Sequence, residues 1–393
     1  MFTNAFFETG IADPRDLQRL GITRVGDITG LDTIGLPVWF ATRPNSRALS
    51  VSQGKGLTAA QARVSAIMEA AETAIAERPE GLGLVFGCCH EMAARGARTI
   101  PFERMMRCNA SRIGPARERA WVQGHALRAG HDVFAPFELI GLDLRTRAPW
   151  NHDAFKMSSI GLAAAGDAAR AELHALLEAI EHDATATLDL LGLGANVARG
   201  VALEPGSHAE LDHAIAAVMA AGFTPCFFDL TGRVAVPVVA CFLTRQVLSS
   251  EGTGDKLTAG FACRLDASQA ALAALLECVQ SRATDIAGAR DDIADEDYRA
   301  SRAKLPVANG TRRLGDIRGH CAASAGWPAE KYLERVREAV LAEGMDDIFT
   351  FELAHGIPGL HVMRVLVPDL AATGGAGVTQ GGASLLDALL QGR

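Results

Sequence analysis

The heptapeptide AIMEAAE at residues 66–72 recurs with small changes as ALLEAIE at 175–181 and as ALLECVQ at 274–280. Each copy reads Ala, two apolar residues, Glu, two small or apolar residues, and then Glu or Gln. The surrounding Ala- and Leu-rich sequence favours helix, so each copy is predicted to lie within one. Because positions i and i+3 share a helix face, each helix is expected to present two oxygen-bearing side chains side by side.

A glycine-containing stretch precedes each of these helices. The three stretches are SQGKG at 52–56, SSIGL at 158–162, and the residues Gly252, Gly254, Lys256 and Gly260. Further upstream, apolar runs at 36–43, 134–144 and 234–244 each carry a proline near their start, where a strand tolerates one. The sequence therefore predicts three strand–glycine loop–helix units in an α/β fold.

Composition narrows the class of protein. The chain has 393 residues, of which 49% are hydrophobic and 21% charged, as expected for a packed globular protein rather than a disordered one. The net charge of −8 leaves no dominant basic face, so nucleic acid is not an expected partner. The sequence has neither a signal peptide pattern nor an apolar run long enough for a membrane span, so a cytoplasmic location is expected. The cysteines form no C-x-x-C pair, so no zinc site is predicted.

The chain is expected to form one large domain over residues 1–393. The repeated motifs occupy residues 36–295, and residues 296–393 are expected to be a C-terminal helical extension. Residues 327–343 are predicted to form a surface helix within that extension. The Gly-rich residues 373–383 are expected to be mobile.

The paired glutamates suggest a cation site. Glu69, Glu72, Glu178 and Glu181 sit among apolar residues, and buried carboxylates are costly unless they are paired or bind a metal. A single Glu-x-x-Glu is common on solvated helix surfaces, but repeated copies behind similar glycine stretches are not. Oxygen ligands alone suit a hard cation, and Mg²⁺ held together with substrate phosphates fits best.

Several neighbours of the glutamates are candidate phosphate or nucleotide contacts. Glycines at a helix start suit a phosphate, and Lys55 beside them adds a positive charge, although the stretch is not a Walker A motif. Ser65 lies on the same helix stripe as Glu69. Arg282 and Arg290 are candidate nucleotide or phosphate contacts as well. The alternative for Lys55 is a surface lysine, and that for Ser65 is a serine bonded back to its own helix. The alternative for the two arginines is a structural ion pair with Asp291 or Asp292.

Taken together, these motifs resemble those of the YcaO family. Ser65-x-x-x-Glu69-x-x-Glu72 resembles the family's first ATP/Mg motif, and Glu178-x-x-Glu181 followed by His182-Asp183-Ala184 is similar to the second. Glu277-x-x-Gln280-Ser281-Arg282 and the GARDD run at 288–292 resemble the third. The resemblance spans roughly residues 36–295, with every motif in order.

The resemblance implies an α/β fold that is neither Rossmann nor P-loop, with ATP and Mg²⁺ as cofactors. YcaO proteins use ATP to phosphorylate the oxygen of a peptide backbone amide after or during attack by a nucleophile, and phosphate then leaves. Sulfide gives a thioamide, and a Cys, Ser or Thr side chain gives an azoline. By this resemblance, the Mg²⁺ ligands are Glu69, Glu72, Glu178 and Glu181. The ATP contacts are Lys55, Ser65, Glu277, Gln280 and Arg282. The catalytic side chains stay unassigned, and no Ser-His-Asp set is evident.

Departures from the family pattern refine the expected activity. Ile160 replaces an Asn in the loop before the second motif, and His182 replaces the usual Arg after it. The chain ends in LLQGR instead of the proline-rich tail of many azoline-forming members. The segment RPNSR at 43–47 resembles the subgroup that works beside a TfuA-like partner.

These features favour thioamide formation on a ribosomally made peptide or protein. That reaction implies a sulfide donor and a TfuA-like partner, and a homodimer is expected as the commonest symmetric oligomer. Azoline formation is the runner-up. A binding scaffold that presents a peptide without catalysis and an ATP-dependent ligase are the alternatives of other classes.

Overall fold

The computed structural model describes residues 13–105, 109–191, 198–206, 208–245, 257–290, 308–353, 356–374 and 377–380. The helices are α1 (Pro14–Arg19), α2 (Ala59–Ala76), α3 (Cys89–Ala94), α4 (Phe137–Ile140), α5 (Ala168–Leu191), α6 (Ala209–Ala220), α7 (Ala267–Ala287) and α8 (Ala329–Ala342). None of the helices in these ranges is both long enough and apolar enough to cross a membrane.

The strands precede and separate these helices along the chain. They are β1 (Arg24–Asp27), β2 (Val38–Thr42), β3 (Val51–Lys55), β4 (Val85–Gly87), β5 (Arg119–Ala126), β6 (His131–Pro136), β7 (Leu162–Ala165), β8 (Ala198–Ala202), β9 (Phe223–Asp229), β10 (Val238–Arg245), β11 (Thr258–Cys263), β12 (Ala308–Arg313), β13 (Phe349–Glu352), β14 (His361–Leu366), β15 (Ala372–Gly374) and β16 (Gly377–Gln380).

Three main sheets carry these strands. Their strand orders are β1-β2-β3, β11-β10-β9-β8-β12 and β4-β5-β13-β14-β7, with β6 paired to β5. The pairs β2–β3, β14–β7 and β10–β11 are antiparallel, whereas β8 and β12 run parallel. Each sheet therefore ends in one edge strand that matters for the site, namely β3, β7 or β11.

The three long helices follow these edge strands directly, so the predicted repeat is confirmed as three strand–helix units. Helix α2 follows β3, α5 follows β7, and α7 follows β11. Each helix packs on its own edge strand and also contacts the edge strand of the next unit, and α7 returns to β3. The units therefore close into a ring, with the three copies of the heptapeptide facing one another.

Small residues allow the helices to approach their strands closely. Ala66, Ala70 and Ala74 of α2 are fully buried and form one stripe of that helix. A Cβ added at Gly54 of β3 would lie 2.0 Å from the backbone nitrogen of Ala66. A Cβ at Gly260 of β11 would lie 2.3 Å from a backbone oxygen of α7. Gly54 and Gly260 therefore serve strand–helix packing.

The expectation of phosphate-binding glycine loops at the helix starts is wrong for the first unit. Residues 51–55 form β3 itself rather than a turn. The start of α2 is already capped, because Gln61 Oε1 accepts hydrogen bonds from the backbone N–H groups of Leu57 and Thr58 at 2.9 and 3.1 Å. Thr58 Oγ1 in turn accepts from the N–H of Gln61. The N–H groups of Thr58 and Gln61, which an anion at this helix start would use, are thus occupied.

The second unit obtains its partner strand from a distant part of the chain. The predicted strand 134–144 is wrong, because β6 ends at Pro136 and residues 137–140 form the short helix α4. The strand paired with β7 is β14, where Met363 lies opposite Ala163. The predicted strands 36–43 and 234–244 are confirmed as β2 and β10.

The predicted C-terminal helical extension is also wrong in part. Residues 327–343 contain α8 as expected. However, β12 joins the five-stranded sheet, and β13 and β14 lie inside the sheet that contains β7. Within the Gly-rich segment, β15 and β16 pair antiparallel. Residues 381–393, together with Gly252, Gly254 and Lys256, lie outside the described residues.

We expect Gly54→Ala to lower the free energy of unfolding by about 1 to 3 kcal/mol, because the added methyl group would overlap the backbone of α2. Gly30→Ala is the matched control, since a Cβ there meets no atom within 4 Å. Urea denaturation followed by circular dichroism measures both free energies of unfolding. A Gly54→Ala midpoint equal to that of Gly30→Ala would contradict the close-packing role.

Candidate functional site

A cavity of about 1450 Å³ lies where the three units meet. Its wall includes side chains from α2, α5 and α7 and from the edge strands that precede them. The predicted site residues that line it are Lys55, Ser65, Glu69, Glu72, Glu178, Glu181, Glu277 and Gln280. The structure thus brings together residues that lie up to 225 positions apart in the chain, from Lys55 to Gln280.

Backbone N–H groups of two different units hold the glutamates of α2. Glu69 accepts a hydrogen bond from the backbone N–H of Gln53, on the strand of its own unit. Glu72 accepts one from the N–H of Ala164, on the strand of the next unit, at 2.9 Å. One helix therefore supplies a carboxylate to its own strand and a second carboxylate to its neighbour's strand.

The glutamates of α5 repeat this arrangement. Glu178 accepts a hydrogen bond at 3.1 Å from the N–H of Gly161, which immediately precedes β7. Glu181 accepts one at 3.2 Å from the N–H of Cys263, at the end of β11 in the third unit. The i, i+3 spacing of the motif thus allows the two glutamates of one helix to bind the edge strands of two neighbouring units.

The third unit closes the ring through an ion pair. Glu277 Oε2 of α7 lies 2.8 Å from Lys55 Nζ, at the end of β3 in the first unit. The Lys55 side chain is only 26% exposed and lines the cavity, so it is not a free surface lysine. Gln280 takes the position that Glu72 and Glu181 hold in the other helices, and it carries no charge.

The carboxylates raise one another's pKa values. Burial, followed by the charge of neighbouring glutamates, raises the pKa of Glu72 to about 8 and that of Glu178 well above its usual value. Burial is also the main reason that the pKa values of Glu69 and Glu181 rise to about 7, and Glu277 adds to both shifts. Charge interactions thus connect Glu69, Glu72, Glu178 and Glu181 with one another and with Glu277, across all three helices.

Two cavity-lining arginines and Lys55 oppose this negative charge from within the cavity. The charges of Arg290 and Lys55 lower the pKa of Glu69, against the larger effect of burial. Arg264 and Lys55 do the same for Glu181. Arg290 was a sequence candidate, whereas Arg264 was missed, because nothing in its local sequence marks it.

Arg364 opposes the same charge from behind the cavity wall. It lies in β14, is fully buried, and lowers the pKa of both Glu72 and Glu178. Sequence reasoning missed it because β14 lies far from the motifs. The available signal was a single arginine inside the otherwise apolar run VMRVLV at 362–367.

Arg282 is the predicted site residue that the structure does not bring to the cavity. Its Nε lies 2.7 Å from Asp32 Oδ2, and both side chains are nearly buried. Its guanidinium also stacks 4.5 Å from the ring centre of Phe223. The structural ion-pair alternative is therefore confirmed, although the partner is Asp32 rather than the aspartates that follow Arg290.

Two histidines line the cavity without carrying a charge near neutral pH. Burial, followed by the charges of Arg264 and Arg170, lowers the pKa of His174 to about 3. Burial also lowers the pKa of His182, whose Nε2 lies 3.9 Å from Glu178 Oε1. The His182 replacement thus places a neutral imidazole beside the carboxylate pair.

The RPNSR segment is held by internal contacts. Arg43 is buried in an ion pair with Glu77 near the end of α2. Ser46 Oγ and the backbone N–H of Arg47 both donate to Glu77 Oε2, at 2.9 and 2.8 Å. These bonds fix the segment beside Ala48, which lines the cavity. The two arginines of the segment therefore have structural partners of their own.

The donor set fits a cation that brings further ligands with it. Among the described residues, no three His, Cys, Asp or Glu side chains lie close enough to hold a metal ion by themselves. Mg²⁺ commonly binds through one or two carboxylates, with phosphate oxygens and waters completing its shell. Carboxylates whose pKa values are raised by burial and by one another are in turn stabilised by such a positive charge.

Comparison with known families agrees with this chemistry. The sequence profile described as "YcaO cyclodehydratase", ATP- and Mg²⁺-binding, matches residues 53–371. The chain belongs to the YcaO family. The expectation of ATP and Mg²⁺ as cofactors is thereby confirmed at the level of the family.

One relative of this YcaO protein is described by its position in the genome, and a second is a solved structure. A protein of Rhizobium leguminosarum bv. trifolii, described as uncharacterized in the tfuA 3' region, is 33% identical over 366 residues, or 90% of this chain and 84% of the relative. YcaO from Methanopyrus kandleri bound with AMPPCP and Mg²⁺ matches with a TM-score of 0.68 at 23% identity, covering 90% of this chain and 87% of that one.

A heterocyclase in complex with substrate and cofactor gives a TM-score of 0.72 at 16% identity, covering 100% of this chain and 58% of that one. At such low identities these two solved structures show the fold alone. The predicted α/β fold, neither Rossmann nor P-loop, is thereby confirmed.

We expect the ligand-free protein to lose thermal stability as the pH rises from about 4.5 to about 8. The raised pKa of Glu72 means that the folded state binds its proton more tightly than the unfolded state does, so this stabilising contribution is lost as the carboxyl ionises. Differential scanning calorimetry across this range should show a shallower decline for Glu72→Gln than for the wild type. Glu80→Gln, which replaces an exposed carboxylate bound to Arg47, is the control. A Glu72→Gln profile parallel to that of the wild type would contradict the assignment.

Proposed function

We propose that this YcaO protein uses Mg²⁺ and ATP to activate a backbone amide of a ribosomally made peptide or protein, and that sulfide converts this amide to a thioamide. The observation that carries the proposal is the convergence of carboxylate pairs from α2 and α5, with Lys55 and Glu277, on one cavity. Membership of an ATP- and Mg²⁺-binding family supports the choice of ligands.

The proposed roles follow from the positions of the side chains. Glu69, Glu72, Glu178 and Glu181 hold Mg²⁺, which when bound neutralises phosphate charge and helps to position the nucleotide. The proposed ATP contacts are Lys55, Ser65, Glu277 and Gln280, all of which line the cavity. We leave Arg282 out of this set, because its guanidinium is committed to Asp32.

The volume of the cavity supports two substrates. Pockets for one small ligand usually measure about 300 to 1,000 Å³. At about 1450 Å³ this cavity leaves room for a peptide segment beside the nucleotide. Part of its wall is apolar, including Leu49, Leu142, Leu144 and Met157, which suits the side chains of a peptide better than a triphosphate.

The proposed reaction balances without an oxidant. Sulfide adds to the amide carbon, the amide oxygen takes the terminal phosphoryl group of ATP with ADP as the leaving group, and loss of that oxygen as phosphate, with the sulfur's proton, leaves the thioamide. A TfuA-like partner as helper in sulfide delivery is supported by the tfuA-region description of the Rhizobium relative. The sulfide donor, the homodimer and the cytoplasmic location stay predictions.

Azoline formation is the second candidate. It is favoured by the cyclodehydratase description of the family and by the similarity in fold to a heterocyclase. In that case a Cys, Ser or Thr side chain of the peptide replaces sulfide. A scaffold without catalysis is disfavoured, because crowded carboxylates with raised pKa values would bring a cost and no use.

We expect Glu69→Gln and Glu178→Gln to abolish the Mg²⁺ dependence of nucleotide binding and to lower affinity for Mg-nucleotide by at least about tenfold, since each removes a carboxylate ligand. Titration calorimetry with a non-hydrolysable ATP analogue, with and without Mg²⁺, measures this. Glu80→Gln, outside the cavity, should keep the wild-type affinity. Wild-type Mg²⁺ dependence in both cavity variants would refute the metal assignment.

The product distinguishes the candidate reactions. We expect a peptide incubated with the protein, ATP, sulfide and a TfuA-like partner to gain the mass difference between sulfur and oxygen, as measured by mass spectrometry. Reactions without sulfide, and with Glu178→Gln, are the controls. Loss of one water from a peptide with Cys, Ser or Thr, without sulfide, would select the azoline reaction. ATP-dependent joining of two molecules would select a ligase, and unchanged peptide with ATP intact would select the scaffold.

A further inference from the structure

Arg364 is a buried charge, and within the part of the chain that the structure describes its hydrogen bonds go only to backbone carbonyls. Its Nε and Nη2 donate to the carbonyl oxygen of Ile140 at 3.2 and 3.0 Å, and its Nη1 donates to that of Ile160 at 2.7 Å. No ion pair to this guanidinium is present among the described residues, although the side chain is fully buried. A buried charge held only by carbonyl groups is costly, so its position calls for an explanation.

The carbonyl that Arg364 binds belongs to the peptide group that holds a site carboxylate. The oxygen of the Ile160–Gly161 peptide accepts from Arg364, and the N–H of the same peptide donates to Glu178 Oε2 at 3.1 Å. A cation at the oxygen end polarises the group and strengthens the donor at its nitrogen end. Arg364 therefore acts on Glu178 through the one peptide group to which both side chains are hydrogen-bonded.

Strand β14 fixes this peptide from a second direction. Gly161 has a φ of +75°, and a Cβ there would lie 2.3 Å from the carbonyl oxygen of Val365. The N–H of Val365 donates to the oxygen of Gly161 at 2.7 Å. The orientation of the Gly161 N–H thus depends on β14 and on a position that only glycine fills without strain.

The same strand supports the donor to Glu72. Arg364 lies opposite Leu162 in the β14–β7 pairing, and Val362 lies opposite Ala164, whose N–H binds Glu72. Both donors to this carboxylate pair therefore come from one segment that β14 holds. Lys55, Arg264 and Arg290 line the cavity, so a substrate can reach them, whereas Arg364 is sealed behind its wall.

We propose that Arg364 is a positioning residue of the nucleotide site, which aims the Gly161 N–H at Glu178 and supplies a fixed positive charge behind the Glu72 and Glu178 pair. The proposal rests on the proposed function for its ligand, Mg-nucleotide. It adds a residue outside the glutamate motifs and gives strand β14 a role at the site.

Arg364→Lys tests the proposal, with Arg43→Lys as the matched control. A lysine keeps the charge but cannot bond to the Ile140 and Ile160 carbonyls in the forked geometry of a guanidinium. Arg43 is almost as buried, but it pairs with Glu77, and neither of these two residues lines the cavity. The expected loss in affinity for Mg²⁺ with a non-hydrolysable ATP analogue is about 10- to 100-fold for Arg364→Lys. Arg43→Lys should stay within about twofold of the wild type.

A second readout is independent of ligand binding. In protein labelled with ¹⁵N-glycine, the Gly161 amide resonance should shift in Arg364→Lys and in Glu178→Gln, but not in Arg43→Lys. An unmoved resonance, or wild-type affinity in Arg364→Lys, would overturn the proposal. If the wild type binds no Mg-nucleotide, the proposed function fails. The Gly161 resonance then still shows whether Arg364 positions the N–H that binds Glu178.

If Arg364→Lys does not fold, hydrogen exchange of the wild-type protein decides the proposal. The Gly161 amide should then exchange as slowly as the amides of β7. Fast exchange at Gly161 would show that its N–H is not held toward Glu178.

Discussion

Repulsion between like charges held close together is the constraint on which this structure depends. Five carboxylates from three helices face one cavity, and burial and mutual repulsion raise the pKa values of four of them. Such an arrangement is stable only where protons, fixed cations or bound metal ions compensate the charge. Gln280, in the sixth position of the series, carries no charge and so adds no further repulsion.

Backbone hydrogen bonds across unit boundaries hold the glutamate side chains in place despite this repulsion. Each glutamate pair bridges two strands, so the position of a carboxylate depends on how closely a helix approaches its sheet. Gly54 and Gly260 make that approach possible, since any side chain there would push the helix away. The Lys55–Glu277 pair then joins the last unit to the first and closes the ring.

Local sequence was sufficient to predict what is local in the structure. The i, i+3 spacing placed the glutamates on one face of each helix, and their recurrence predicted that they belong together. Pairing across the chain left no such trace. The sequence predicts the strand of the second unit at 134–144, whereas the strand that pairs with β7 lies at 361–366. The direction of the Arg282 side chain depends on Asp32, 250 positions earlier. Arg364 contacts the site through the Ile160–Gly161 peptide group. Neither contact joins residues at a short, fixed spacing, so no sequence motif indicates it.

The place of β14 in the chain has a consequence for biosynthesis. This strand lies between β13 and β7, so the second unit lacks its neighbour until the ribosome has extended the chain beyond residue 366. The glutamates of α2 and α5 are made long before that point, but the N–H groups that hold Glu72 and Glu178 are not yet fixed. Pairings between segments so far apart form late in folding. A nascent chain that has not reached residue 366, or one truncated before it, therefore exposes an incomplete site, and nucleotide binding requires strand β14 to be in place.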